Sequence, residues 1–360
     1  MMQLAFSLSQ AWGKVWPILF AILFFGFIIL IHECGHFFFA KLFKVKVNEF
    51  AIGMGPKIFS KKGKETAYSL RAFPIGGFVS MEGEDEESAD ENSFQTKKAW
   101  QRFIIIAAGA ICNLIFGLVL IAVLLSKQDL VGTTQVLRFE ENAISDESGL
   151  QVNDEIIKIN GLRLYSDRDL SYALMRGDNT SFEFVVKRGG ETVVLPDVQF
   201  AATEYEGRTI VSQDFYVLGV PKTFGNMFTS TFAETASMAR LVRLSLADLI
   251  SGKYGLKDLS GPVGTMEIIA DAATDAATGK EYGLEMIVTI MAFITINIGV
   301  VNLLPIPALD GGRLVFLLLE IIRRKPVLPK YEKYVHAGGL ALLLAFMALI
   351  TLKDVIYLFK

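Results

Sequence analysis

The residues with the clearest chemical potential are His32 and His36, in the run His32-Glu33-Cys34-Gly35-His36. On an α-helix, side chains four apart share a face, so both imidazoles can point at one ion. Glu33 stands beside them, placed to take a proton from water held by that ion. This is the HExxH arrangement of zinc hydrolases. It falls inside a long apolar run, residues 16–40. Ionisable groups at membrane depth cost about 2.5–3.5 kcal/mol each on insertion scales. Packing alone offers nothing that offsets this cost for three polar groups, so the pattern points to a metal.

Two histidines do not complete a catalytic zinc site, which normally has three protein ligands and one open position. Asp310 is the prominent candidate for the third. It ends the run Asn302-Leu303-Leu304-Pro305-Ile306-Pro307-Ala308-Leu309-Asp310, followed by Gly311 and Gly312. The two prolines interrupt the helical hydrogen-bond ladder. Unwound backbone is tolerated at membrane depth only where protein or a water-filled cavity satisfies it. The glycine pair then permits close approach to the first helix. The competing reading, a proline kink with a solvent-facing Asp, loses its force beside the histidine motif.

The elements that must position these groups follow from composition. Of 360 residues, 52% are hydrophobic and 20% charged, with 28 Phe. Soluble chains run nearer 45–50% and about 25%. The excess sits in runs at 16–40, 103–125, 284–322 (broken by the prolines) and 335–359, each long enough to cross a bilayer. The first is too long, and too lacking in a cleavage site, for a signal peptide. A net charge of −3 gives no support for nucleic-acid binding. Two cysteines exclude a disulfide scaffold, and Cys34 and Cys112 read as small hydrophobes.

Basic residues cluster after the first run (Lys41, Lys44, Lys46), before the second (Lys97, Lys98, Arg102) and between the third and fourth (Arg323, Arg324, Lys325, Lys330, Lys333). The positive-inside rule makes these loops cytoplasmic and puts both termini, including residues 1–15, outside. The acidic run at 82–92 reads as a solvated linker. Asn113 and Asn297 read as interhelical hydrogen bonders, and His336 as an interfacial anchor.

Residues 127–222 have soluble composition. The strand EIIKI ends in Asn160-Gly161, a helical stretch follows, and two strands flank Gly189-Gly190. This order resembles a PDZ domain, a fold that binds peptides by strand addition; a plain α/β spacer is the alternative. Residues 223–283 read as an amphipathic linker that lies on the membrane or packs on the insert.

Together the HExxH and N-x-x-P-x-P-x-L-D-G motifs resemble the site-2 protease family of intramembrane zinc metalloproteases, in its bacterial branch with a PDZ domain. The resemblance covers nearly the whole chain. It implies a polytopic α-helical membrane protein with about four transmembrane helices, a membrane-associated β-hairpin and one extracytoplasmic PDZ-like insert. It implies Zn2+ held by His32, His36 and Asp310, Glu33 as general base, and Asn302 in contact with substrate backbone or the transition state. Residues 48–81, within the cytoplasmic segment 41–102, are similar to the family's reentrant hairpin that aligns substrate as an added strand. Gly53, Gly55, Gly76 and Gly77 punctuate it as candidate substrate-binding positions. The implied partners are single-pass membrane substrates already trimmed outside, such as anti-sigma factors or remnant signal peptides, the lipid bilayer, and a peptide at the PDZ groove. The implied location is the bacterial inner membrane, with the active site toward the cytoplasm. An ion pathway or an idle scaffold are the rival classes; neither explains why Glu follows the first His.

Overall fold

The computed structural model describes residues 2–358 except 85–87, 177–179, 206–207, 254–258, 260, 281, 326 and 328. The chain forms two units, one of Met1–Leu120 with Val242–Lys360 and one of Ile121–Leu241. Four helical stretches among the described residues are long and apolar enough to cross a membrane: Val15–Leu42, Ala99–Lys127, Gly283–Leu303 and Tyr331–Ile356. In hydrocarbon every backbone amide must be paired internally, which makes such runs helices. The protein is a multi-pass membrane protein.

In the first unit, α1 (Met2–Leu42) leads into β1 (Val47–Lys62) and β2 (Ala67–Met81), and then α2 (Ala99–Lys127). The hairpin is doubled on itself. Phe50 pairs with both Val79 and Tyr68, and Ala51 with both Phe78 and Ser69, while Ser60 also pairs with Ser69. The bends fall at Gly53, Gly55 and Gly76, with φ of 84°, 85° and 83°, values that L side chains rarely adopt. Glu49 pins the layers: its carboxylate accepts from Ser69 Oγ, and lies 2.9 Å from Lys57 Nζ and Arg71 Nη2. Burial opposes its ionisation, but these bonds outweigh it and hold the carboxyl down at about 2. That contribution to stability is complete above the ordinary Glu value of about 4.3 and is lost as pH falls toward 2.

The acidic segment is tied back onto this unit. Lys46 Nζ lies 2.7 Å from Asp90 Oδ2, and its N–H donates to Asn92 O at 2.9 Å. Residues 85–87 of the run lie outside the described residues. A lysine at the root of the hairpin supplies the counter-charge that composition alone assigned to solvent.

The second unit holds β3 (Leu130–Phe139), β4 (Glu155–Ile159), β5 (Leu162–Arg163), α3 (Arg168–Arg176), β6 (Ser181–Arg188), β7 (Glu191–Gln199), β8 (Ala202–Tyr205), β9 (Arg208–Val211) and β10 (Phe215–Pro221), and the start of α4 (Phe224–Ile250). Its main sheet runs β10-β3-β4-β6-β7, with β5 on β4. Asn160 and Gly161 both have positive φ, as do Gly189 and Gly190, the signature of two-residue hairpin turns. Alternate residues of the strands, with Leu170 and Leu174 of α3, enclose a core centred on Val136, Ile156, Phe182 and Phe184. Buried Asp154 accepts the Gln151 N–H at 2.9 Å and pairs with Arg188 at 2.7 Å. That gives the Asp of the Gly149-Leu150 turn a structural role.

The chain returns through α5 (Pro262–Ala277), α6 (Gly283–Leu303), α7 (Asp310–Arg323) and α8 (Pro329–Leu358). The amphipathic segment after Val220 is mostly two helices, α4 and α5. Ile269 of α5 packs with Ala21, Phe24 and Ile28 of α1 and Ile294 of α6, and Asp354 Oδ2 of α8 accepts the Gly264 N–H at 3.1 Å. The third span breaks after Leu303. Leu304 is extended (φ −69°, ψ 147°), as a residue before proline prefers, and helix resumes at Asp310.

Candidate metal centre

His32 and His36 lie one turn apart on α1 and are both buried. The break in the third span brings Asp310, the first residue of α7, against them. Asp310 Oδ2 stands 3.1 Å from His32 Nε2 and 3.3 Å from His36 Nε2, and the two Nε2 atoms are 3.2 Å apart. Ligand atoms about 2.0–2.1 Å from one tetrahedral ion are separated by roughly 3.3 Å. The triangle therefore has the size of a zinc face. Asp310 Oδ2 is buried and makes no hydrogen bond. A buried carboxylate oxygen aimed at two imidazole nitrogens is unstable unless a cation or proton joins them, so the donor set fits zinc.

The surroundings orient the rings. His36 Nδ1–H donates to Ile105 O of α2 at 2.9 Å, which leaves the Nε2 lone pair facing the triangle. His32 Nδ1 lies 3.4 Å from the amide of Asn113, whose Oδ1 is buried without a partner. Turning that amide over lets Oδ1 accept the His32 Nδ1–H, a choice of orientation set by hydrogen-bonding logic. Both rings then present Nε2 inward, the usual outer support of a metal-binding histidine. Space is made by Gly109, where a Cβ would sit 2.4 Å from His36 Nε2.

Glu33 is partly buried beside the triangle, and a Cβ on Gly77 would lie 3.4 Å from its Cγ. The same Cβ would stand 2.9 Å from Ala51 O, so Gly77 both serves the hairpin's own strand packing and faces Glu33. The missing side chains of Gly53 and Gly55 would meet Phe73, and that of Gly76 would meet Met54, so these three shape the hairpin's own bends. Asn302 occupies the last turn of α6, partly buried. The glycine pair after Asp310 acts differently from the expected approach to the first helix. A Cβ on Gly311 would stand 1.9 Å from Leu304 O, so glycine there lets α7 fold back on the broken segment itself.

Two further residues belong to this assembly. Asn113, expected only to bridge helices, sits four positions after Gly109 on α2; that spacing was the available signal. His336, expected as an interfacial anchor, accepts the Ala308 N–H on Nδ1 at 3.0 Å. Ala308 has φ +77°, a strained value for a residue with a side chain, two positions before Asp310. Nothing in the residue types of 305–308 foretells that partner. His336→Leu is expected to weaken zinc retention about tenfold in chelator competition, as outer supports of metal ligands do. His336→Asn, which keeps an acceptor near the Nδ1 position, should recover most of it; equal losses in both variants would remove His336 from this role.

A histidine pair and a carboxylate converging between membrane spans form a candidate mononuclear metal centre in a membrane protein. The sequence profile of peptidase family M50 matches residues 20–346, which include both motifs, and the chain belongs to that family. Zinc metalloprotease RasP of Bacillus licheniformis is 31% identical, over 94% of this chain and 98% of that protein. The regulator of sigma-W protease RasP of Bacillus subtilis is 29% identical over the same shares. A Clostridium acetobutylicum protein whose name assigns it provisionally as a zinc metalloprotease is 37% identical, over 94% and 97%. The chain is a zinc metalloprotease.

Proposed function

We propose that the protein is an intramembrane endopeptidase that cuts single-pass membrane proteins, already trimmed on the outer side, within the bilayer of the bacterial inner membrane. The observation that carries this reading is the triangle of His32, His36 and Asp310 in the membrane-spanning part of the fold. The three residues hold the zinc, which when bound polarises the scissile carbonyl and acidifies water. Glu33 accepts the proton of the attacking water and passes it to the departing amine. Asn302 and the hairpin hold the substrate, which joins the hairpin as an added strand. A substrate helix must be opened first, because its carbonyls are engaged in its own hydrogen bonds. The name of the Bacillus subtilis relative supports anti-sigma factors as one substrate class, and remnant signal peptides are a second. The second unit serves as a single PDZ-like domain that takes a peptide or excludes bulky outer domains. The basic loops support a topology with the termini outside and the metal near the cytoplasmic face.

Depth makes this testable. His36 precedes Lys41 by five residues, roughly 8 Å along a helix. Product ends mapped by mass spectrometry are therefore expected in the cytoplasmic half of the substrate's span, near helix-weakening Gly, Pro or small polar residues. A trimmed substrate should be cut faster than an untrimmed one. Cuts in the outer half contradict the depth, and equal rates contradict the filter.

A further inference from the structure

Asp310 stands at the very start of its helix, where support has to come from elsewhere. It is the first residue of α7, and Leu309 before it offers no side-chain cap. The segment leading in from Leu304 carries Pro305 and Pro307. His336 steadies that segment at Ala308, whereas the helix itself is fastened further on. A metal ligand must be held within about 0.5 Å of its productive place, so that fastening decides where the carboxylate sits. Arg313 follows Asp310 by three positions and shares its side of α7, and its Nη1 donates to Glu84 Oε1. Both groups are partly buried, with side-chain exposures of 31% and 14%. The planar guanidinium fixes the direction of such a pair more strictly than an ammonium would.

Glu84 belongs to the part of the chain that carries the histidines. Its N–H donates to Met81 O at 3.4 Å, the Glu82 N–H to Lys46 O at 2.9 Å, and the Phe94 N–H to Glu82 O at 2.7 Å. These bonds close a turn on the root of the hairpin. The root is joined to the end of α1 by the Val45 N–H, which donates to Ala40 O at 2.8 Å, four residues after His36. The ion pair therefore bridges the two sides of the metal triangle, α1 with the hairpin root on one side and α7 on the other. Leu314 and Leu317 of α7 share an apolar cluster with Ala40, Val45 and Met81, which brings the helix to the root without fixing its rotation. At the far end of α7, Glu320 pairs with Arg102 of α2, about 15 Å along the helix from Asp310. Arg313 is only about 4.5 Å along it and controls the ligand more directly.

We propose that Arg313 and Glu84 are positioning residues for the third zinc ligand: their ion pair fixes the first turn of α7 against the hairpin root and so holds the Asp310 carboxylate at His32 and His36. Neither residue is a ligand or takes part in the proton transfers. The inference rests on Asp310 being a ligand. The two charges act as one unit, since with either gone the other no longer ties α7 to the root.

The test measures zinc affinity by chelator competition on the full chain in nanodiscs, for E84Q, R313Q and the double variant. E65Q, whose pair with Lys41 does not involve α7, is the control, and D310A is the reference. Each single variant is expected to bind zinc about tenfold more weakly, the loss that follows removal of an outer support of a metal ligand. The double variant should bind no more weakly than either single one, and E65Q should match the parent. Cobalt(II) in place of zinc reads the ligand geometry: at full loading the visible absorption of E84Q and R313Q is expected to differ from the parent's, a change that general loosening of the fold does not produce. Losses that multiply to about a hundredfold in the double variant overturn the pair in favour of separate roles. An equal loss in E65Q, or a parent-like cobalt spectrum in both single variants, overturns it in favour of a general structural effect. Zinc retained by D310A overturns the ligand assignment and this inference with it. Zinc lost from D310A but held by E84Q and R313Q as tightly as by the parent overturns this inference alone.

Discussion

Glu33→Gln is expected to lower turnover by about two to four orders of magnitude, the range over which a positioned base acts, while leaving zinc content and fold intact. Glutamine keeps the shape next to Gly77 and the hydrogen-bonding capacity of the side chain, but its amide cannot accept the proton of attacking water. The distinction matters because Glu33 touches the same hairpin that is proposed to hold substrate. A loss confined to KM would assign Glu33 to binding, and a rate near that of the parent chain would remove it as the base. Membrane fragments that accumulate with the Glu33→Gln enzyme, compared by proteomics with those of the active enzyme, would name the natural substrates.

The second large effect concerns the third ligand. Asp310→Ala is expected to take zinc from about one per chain to a small fraction of that, and activity with it, since two histidines alone leave a mononuclear site incomplete. His36→Ala should do the same. The Asp310 variant carries an additional consequence: it removes a partly buried carboxylate 3.1–3.3 Å from two imidazoles, so the apo fold is not expected to suffer. Thermal unfolding of the metal-free proteins checks this. An apo Asp310→Ala chain that unfolds far below the apo parent would show that Asp310 acts mainly as a helix start.

The chemistry was legible in the sequence because it depends on spacing along single elements. His32 and His36 are one helical turn apart wherever the helix lies, and Pro305 and Pro307 interrupt a helix regardless of its neighbours. The Asn-Gly and Gly-Gly turns were legible for the same reason: their residue types select the backbone conformation. What was not legible depends on which element arrives from far along the chain. His336 reaches Ala308 only because α8 packs beside the broken span, and the strained φ of an alanine is written in no residue preference. The doubling of the hairpin places Phe50 between two segments of β2, a register that alternation alone does not select. The tying of the acidic run by Lys46 likewise required knowing that the ends of the hairpin meet. The approach expected at Gly311 toward the first helix is instead made by Leu304 O of its own span.

The central claim is that His32, His36 and Asp310 together hold the zinc. Zinc-edge X-ray absorption on the full chain in detergent or nanodiscs tests it most directly, with the Asp310→Ala chain, reloaded with zinc, beside it. The expected spectrum shows only nitrogen and oxygen neighbours at about 2.0–2.2 Å, with the multiple scattering of two imidazole rings, and the variant loses its zinc or changes its oxygen shell. A sulfur shell at about 2.3 Å, which would bring in Cys34 or Cys112, or an identical spectrum at full occupancy in Asp310→Ala, would contradict the assignment.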